Sequence, residues 1–423
     1  LNPIRDKNQM QKIITPSEIQ GTLFAPSSKS TMQRALIAAL LAEGVSEIEF
    51  HSLCNDVLST LSVIEDLGAE ITRKGNTFFI KGGINPKKTS VHCGESGLCS
   101  RIFGSAAALA GREIEITGKG SLLKRNLTIP VEQFEKLGIT VRSTQGHLPI
   151  SVFGQVTGGT VEIDGSQTSQ VLSGLLMTLP RASGNSELRV SNLSSKPYID
   201  LTINLLSEFG IRVMNQNYEL FKIAGNQKYR PAKYISEGDW SGAAFFLVAG
   251  AVSGEITVRN LTVFSHQADR AVVEALKRAG AKMSISADGI SVSKDRLKAF
   301  EFDASDCPDL FPPLAALASA CEGTSVLRGV NRLPLKESNR AEALVCEFSK
   351  MGLDIEIQNN SMLIQGGKPR SSNIDSHNDH RIAMATAVAA LRTEGKIIID
   401  QAECVEKSYS EFWDDLEQVI RRK

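Results

Sequence analysis

The sequence predicts an α/β protein of two domains, each assembled from three copies of one helix–strand unit. Three observations lead there. First, an Ala-rich apolar helix, a Gly turn and an alternating strand recur six times, with turn glycines at 44, 111, 184, 254, 323 and 395, spaced 67, 73, 70, 69 and 72 residues apart. Second, an amphipathic helix ending in Gly before a strand places Gly68, Gly138, Gly210, Gly280 and Gly352 at intervals of 70, 72, 70 and 72. Glycine after a helix supplies the left-handed cap conformation, and a shared interval in two separate motifs marks an internal repeat. Third, the sixth copy stops within its second helix, at FWDDLEQVIRRK, so a strand must come from elsewhere.

In chain order the copies open with RALIAALLAEGVSEIEF, RIFGSAAALAGREIEIT, VLSGLLMTLPRASGNSELRV, AAFFLVAGAVSGEITV, LFPPLAALASACEGTSVLRG and RIAMATAVAALRTEGKIIID. The second helices follow as IEDLGAEI, FEKLGITV, LSEFGIRV, LKRAGAKM and FSKMGLDI, with further strand material such as NTFFIKG and ISVSKD. The N-terminal QKIITPSEIQG precedes the first helix and is the natural source of the missing strand. Residues 1–22 together with 237–423 are therefore expected to form one domain, and residues 23–236 the other.

Composition narrows the function classes. The chain has 423 residues, 42% hydrophobic and 22% charged, which is ordinary for a folded globular protein. Lys+Arg and Asp+Glu both number 47, so no global field draws nucleic acid or an anionic membrane, and an anion site must be built locally. Aromatic residues are 6%, with no basic-aromatic stripe for single-stranded RNA. The longest apolar stretch, Ala243 to Val252, is half the ~20 residues that a membrane span needs. The seven cysteines are scattered without a C-x-x-C pair, which reads as reduced thiols and predicts a cytoplasmic protein.

The chemistry is expected where the first helix of each copy begins: SSKS (27–30), GESGLCSR (94–101), GSQTSQ (165–170), EGDWSG (237–242), DCPD (306–309) and HNDHR (377–381). Small polar residues there read as N-caps, which suffices for Ser27, Ser166 and Asp239. The cations need another reason. Lys29, Arg34, Arg101 and Arg381 are placed in first turns, where the helix dipole disfavours each by ~0.3–1 kcal/mol unless an anion binds. Loop cations add Lys124, Arg125, Arg332, Lys336, Arg340 and Lys407, with Lys124 alone reading as solvated. On a helix Lys336 and Arg340 would share a face and Glu337 would point elsewhere, as an acid–base group or an ion-pair partner. No P-loop, dinucleotide fingerprint or nucleophile elbow is present, and although His377 and His380 stand at i and i+3, the Asn378-Asp379 between them suits a helix cap equally well. The residues alone indicate an enzyme holding a small polyanion, without naming the reaction.

The motifs SSKSTMQRALIAALL, GSQTSQVLSGLLMT, SKPYIDLTINLL, EGDWSGAAFFL, LPLKESNR and NDHRIAMA, in this order, resemble the EPSP synthase family over essentially the whole chain. The resemblance implies a two-domain inside-out α/β barrel of six βαβαββ repeats, three per domain, with the site in the interdomain cleft. It implies transfer of the enolpyruvyl group of phosphoenolpyruvate (PEP) to the 5-hydroxyl of shikimate 3-phosphate, with release of phosphate and without cofactor or metal. A monomer acting on two small molecules, with no nucleic-acid or membrane partner, is expected. By motif match, shikimate 3-phosphate is assigned to Lys29, Ser30, Arg34, Thr168, Ser169, Gln170, Ser195, Tyr198, Asp309 and Lys336. PEP is assigned to Lys29, Gly97, Arg125, Gln170, Arg340, Arg381 and Lys407. The acid–base candidates are Asp309 beside the attacking hydroxyl, Glu337 and Lys407 around C3 of PEP and the leaving phosphate, and Lys29.

Departures from the family pattern gather in one loop. Glu95 and Leu98 replace residues of its usual Asn-Ala/Ser-Gly-Thr segment, and Ile102 stands where Pro is common. Arg332 replaces an uncharged side chain, and Asn339 an Asp. Glu95 is expected to set a negative charge near PEP, which puts PEP affinity and the response to the inhibitor glyphosate in question. Two alternatives stay open: UDP-N-acetylglucosamine 1-carboxyvinyl transfer, although Lys119 to Leu127 holds no reactive Cys, and an impaired homologue that only binds shikimate 3-phosphate.

Overall fold

The computed structural model describes residues 10–286 and 289–421. Residues 1–9, at the start of the N-terminal segment assigned to the second domain, lie outside it. The chain divides into two compact units, one of Ser27–Glu237 and the other of Leu1–Pro26 with Gly238–Lys423. The sequence reading ended the N-terminal segment at residue 22. The strand Ile19–Phe24 carries it further, and the crossings fall after Pro26 and after Glu237.

Each unit is organised round three core helices. In the first unit they are Lys29–Leu41, Gly97–Ala106 and Ser169–Thr178; in the second, Trp240–Ser253, Phe311–Ala318 and His380–Ala390. These are the Ala-rich helices of the repeat, and they are buried on every side: all ten residues of Gly97–Ala106 and all eleven of His380–Ala390 are buried. A helix without a polar face cannot lie on a surface, so it is enclosed. The sheets do the enclosing. Their strands alternate buried and exposed residues, as Val45–Glu49 and Gly159–Asp164 do, which is the pattern of a sheet with one face on a core.

The sheets repeat one plan: a parallel pair joined through a core helix, then an antiparallel hairpin. In the second copy Ser90–His92 runs parallel to Ile114–Thr117, which pairs with His147–Gly154 and, through it, Ile139–Thr144. The third and fifth copies match it. Among the described residues no sheet closes into a barrel; five have four strands and one has three. The inside-out character lies in the helices being interior and the sheets exterior.

The first and fourth copies obtain their opening strand in a way no local reading reveals. Ile19–Phe24 precedes the first core helix in sequence but pairs in parallel with Gly254–Arg259 of the fourth copy. Lys233–Ile235 precedes the fourth core helix but pairs in parallel with Val45–Glu49 of the first. The two opening strands are exchanged between the units. The N-terminal segment therefore does two jobs. Besides Ile19–Phe24, its strand Lys12–Ile14 pairs antiparallel with Ile397–Asp400 and supplies the strand that the sixth copy lacks.

The hairpins close onto the core helices through glycine. Gly82 and Gly83 follow the strand Thr77–Lys81, donating backbone N–H groups to Gly44 O and Leu40 O, so a carbonyl at the end of the first core helix gains a partner. A Cβ on Gly82 would lie 2.0 Å from Ala39 O and 2.4 Å from Ala42 O, against backbone that cannot retreat. Gly82→Ala is therefore expected to destabilise the protein by at least about 2 kcal/mol, whereas Gly75→Ala, at φ +58° with open space around it, costs only about 1 kcal/mol of backbone strain. Thermal melts of the two variants check this. Equal midpoints would show that the helix end gives way.

Candidate active site

In the first unit the candidate residues cluster at the starts of the three core helices. Lys29 and Ser30 open the first, capped by Ser28. Gly97 opens the second, capped by Ser96. Ser169 and Gln170 open the third, capped by Thr168, whose Oγ1 accepts from Gln170 N at 3.1 Å. The caps differ in part from the sequence reading. Ser27 instead accepts from the backbone N–H groups of His51 and Ser52, and Ser166 bonds Asp164, while Asp239 does cap its helix.

Buried polar bonds tie these helix starts to one another. Gln33 donates to Ser96 Oγ at 2.7 Å and to Thr60 Oγ1 at 2.8 Å. Arg101 donates to Gln170 Oε1 at 2.9 Å. Arg34 donates to Thr202 Oγ1 at 2.8 Å and Ser173 Oγ at 3.3 Å, joining the first core helix to the third and to the helix Lys196–Glu208. Ser195 precedes that helix at φ +57°, and Tyr198 lies in its first turn.

Arg34 and Arg101 are not in first turns, as the sequence reading had them; they are the sixth and fifth residues of their helices. Helical side chains lean toward the N-terminus, so their guanidinium groups still reach back to the first-turn carbonyls, Ser30 O at 2.9 Å and Gly97 O at 3.3 Å. Burial lowers the Arg34 pKa to about 10, which leaves it charged at neutral pH. Arg125 follows the short 3-10 turn Gly120–Lys124. A Cβ on Gly97 would lie 2.8 Å from Arg101 Nη1 and 3.0 Å from Arg125 Nη1, so a side chain there would push these guanidinium groups away from the backbone they now approach. Lys29 pairs with buried Asp56 at 3.2 Å, a partner the sequence reading did not name.

The second unit holds a charge cluster round Asp309, in the turn Pro308–Leu310 before its second core helix. Lys336 Nζ lies 3.2 Å from Asp309 Oδ1, Arg340 Nη1 2.8 Å from the same oxygen, and Arg381 Nη2 3.2 Å from Oδ2. Burial opposes the charged carboxylate, but Arg381, Lys336 and Arg340 together outweigh it and hold Asp309 well below the usual carboxylate range. Arg340, fully buried, also donates to Glu337 and, at 3.0 Å, to Asp379. Asp379 caps the sixth core helix through Arg381 N. Lys336 to Asn339 form a loop, with the helix starting at Arg340, so Lys336 and Arg340 meet through Asp309 rather than on one helix face, and Glu337 turns onto Arg340. Lys407 ends the turn Ala402–Lys407, which packs on the sixth core helix.

The sequence reading missed Asp56, Asp379 and Asp269. Asp379 lies inside NDHRIAMA and was legible only as a cap; the other two carry no local signal. Asp269 is buried and accepts from the Ser241 hydroxyl, while its Oδ1 has no hydrogen-bond partner among the described residues. Burial pushes its carboxyl up to about 7, the Asp309 charge adding to this and Arg381 opposing it. One Cys/Glu/His grouping with ligand spacing, Cys346, Glu347 and His377, occurs among the described residues. The Glu347 carboxylate there is already bonded to Lys350 at 2.7 and 2.8 Å, to His377 and to Asp375 N.

The family model described as EPSP synthase (3-phosphoshikimate 1-carboxyvinyltransferase) matches residues 13–416. The chain belongs to the EPSP synthase family. The 3-phosphoshikimate 1-carboxyvinyltransferase of Clostridium novyi is 37% identical, over 96% of each chain, and that of Clostridium kluyveri 38% over 95% of each. The solved EPSP synthase of Acinetobacter baumannii superposes with a TM-score of 0.82 at 26% identity, over 98% of each chain. The chain is thus a transferase with this EPSP synthase activity, in the shikimate pathway, and UDP-N-acetylglucosamine transfer is not favoured. No described helix is long and apolar enough to cross a membrane.

Asp269 generates a prediction about pH. With an ordinary value of 3.8 when unfolded and about 7 when folded, the native state keeps a proton that the unfolded chain releases. The stability this supplies is complete below pH ~4 and lost as pH rises to ~7, up to about 4 kcal/mol in all. Asp269→Asn should remove that dependence, so its melting midpoint gains on the wild type between pH 5 and pH 8. A constant difference across that range would sink the assignment.

Proposed function

We propose that the first unit grips shikimate 3-phosphate and part of PEP, while the second supplies the acid–base chemistry and the remaining phosphate contacts. Shikimate 3-phosphate is assigned to Lys29, Ser30, Arg34, Thr168, Ser169, Gln170, Ser195 and Tyr198, with Asp309 and Lys336 from the second unit. PEP is assigned to Lys29, Gly97, Arg125 and Gln170, with Arg340, Arg381 and Lys407. In the first step the 5-hydroxyl oxygen bonds to C2 of PEP, C3 gains a proton, and a tetrahedral intermediate forms. In the second, C3 loses a proton, the C2–O bond to phosphate breaks, and the enol ether remains. Asp309 takes the hydroxyl proton, Glu337 and Lys407 serve C3 and the leaving phosphate, and Lys29 assists.

The observation that carries the assignment is Asp309 held ionised by three cations. A carboxylate so far below neutral pH is a weak base, and a base works best with a pKa near the working pH. The anionic substrates correct this. Their phosphates and carboxylates take over Lys336, Arg340 and Arg381, the field on Asp309 falls, and its basicity rises when the hydroxyl arrives. Arg340 now compensates three carboxylates, so binding PEP exchanges partners rather than burying a new charge.

The finer context is inferred too. All seven cysteines are free and six are buried, which supports a reducing, cytoplasmic setting. A monomer is the assembly proposed.

Phosphate release with shikimate 3-phosphate plus PEP tests the assignment, with UDP-N-acetylglucosamine in parallel. Release is expected only with shikimate 3-phosphate. Asp309→Asn and Lys29→Ala should each lower kcat by about 10²–10⁴-fold, the range for losing a positioned acid–base group. Variants that retain full kcat would remove these residues from the chemistry.

A further inference from the structure

Glu95 was expected to oppose PEP, and its surroundings give it a different task. It stands just before Ser96, the cap of the second core helix, where a negative charge suits the helix dipole. Its Oε2 accepts from Ser121 N at 3.0 Å and from Ser121 Oγ at 2.9 Å. These bonds extend a seam between the two segments, in which Cys93 N donates to Thr117 O at 2.9 Å and Lys119 N to Gly94 O at 2.8 Å. Gly120, at φ +57°, completes the fit. A Cβ there would lie 2.4 Å from the Glu95 carboxyl carbon, so the carboxylate fills the space a side chain would occupy.

The tethered turn leads to Arg125. Leu122 anchors its middle in the core, and Arg125 N donates to Leu122 O at 3.1 Å. Beyond it Arg101 holds Leu127 O at 3.1 Å and Asn126 O at 3.2 Å. Arg125 thus stands between two anchors, Glu95 on one side and Arg101 on the other, with its guanidinium against Gly97.

We propose that Glu95 is a positioning residue for the PEP half of the site, clamping the Gly120–Lys124 turn so that Arg125 is held over Gly97. The inference rests on the reading that Arg125 and Gly97 bind PEP. The negative charge is engaged by the turn, and the Glu95 carboxylate places a cation for PEP instead of repelling PEP.

Steady-state kinetics in both substrates, on Glu95→Ala, Glu95→Gln and Arg125→Ala, test it, with thermal melts to confirm folding. Arg125→Ala should raise KM for PEP at least about tenfold, as expected for losing a charge-assisted contact. Glu95→Ala should raise KM for PEP about three- to tenfold, with kcat and KM for shikimate 3-phosphate within about twofold. Glu95→Gln should return KM for PEP to about the wild-type value, because an amide oxygen accepts the same two bonds. A general loss of folding would disturb both substrates equally and would not be rescued by Gln. Glu95→Ala leaving KM for PEP unchanged while Arg125→Ala raises it would overturn the clamp alone. Glu95→Gln binding PEP more tightly than the wild type would show that the charge does repel. No effect of Arg125→Ala would overturn the PEP assignment beneath the inference.

Discussion

Each unit must enclose three helices that have no polar side, and the rest of the structure follows from that constraint. Enclosing them takes three sheets per unit, each with one face on the core. It also leaves the helix starts as the place where polar side chains can project without being sealed among aliphatic neighbours. The free N–H groups of a helix start favour anions, and glycine at position 97 lets two guanidinium groups approach one of them. The repeat is thus a device for presenting several such starts together, and the tethers from Gln33, Arg34 and Arg101 set their spacing within the first unit.

The second constraint is charge. Bringing Arg340 to zero exposure would be costly for a lone cation, and three carboxylates offset that cost. Two of those carboxylates, Asp309 and Glu337, are the ones proposed as acid–base groups. The cluster is therefore self-neutralising, and under the proposed function substrate anions would replace carboxylates as partners of the cations, so that the freed carboxylates gain basicity. Asp269 sits at the edge of this field, close to neutral because it is buried and faces another acid.

Much of this was legible from residue order, and the misses have physical causes. The two glycine series reported the copies because each glycine serves a local helix end. The N-terminal segment was placed with the second half of the chain as the strand missing from the sixth copy, but that Ile19–Phe24 opens the fourth copy was hidden, because strand pairing is nonlocal and its alternation is the same whichever sheet it joins. Lys29 and Arg381 were visible as misfits at helix starts and Glu337 as a candidate ion-pair partner, but the pairing of Asp309 with Arg340 and Arg381, and of Asp379 with Arg340, was not. Asp309 lies 31 residues from Arg340, and Asp379 lies 39. Lys336 was placed in a loop, as found, but the helix face it would have shared with Arg340 does not form, because the helix starts only at Arg340.

By itself, the sequence determined the α/β class, the six copies, the family and the identity of the cations, because each follows from periodicity or from motifs contiguous in the chain. Only the tertiary structure decided which copy each opening strand completes, which carboxylate neutralises which cation, and that Glu95 turns onto Ser121. Those outcomes depend on through-space distance and burial between groups far apart in sequence, and neither quantity is written in the order of residues.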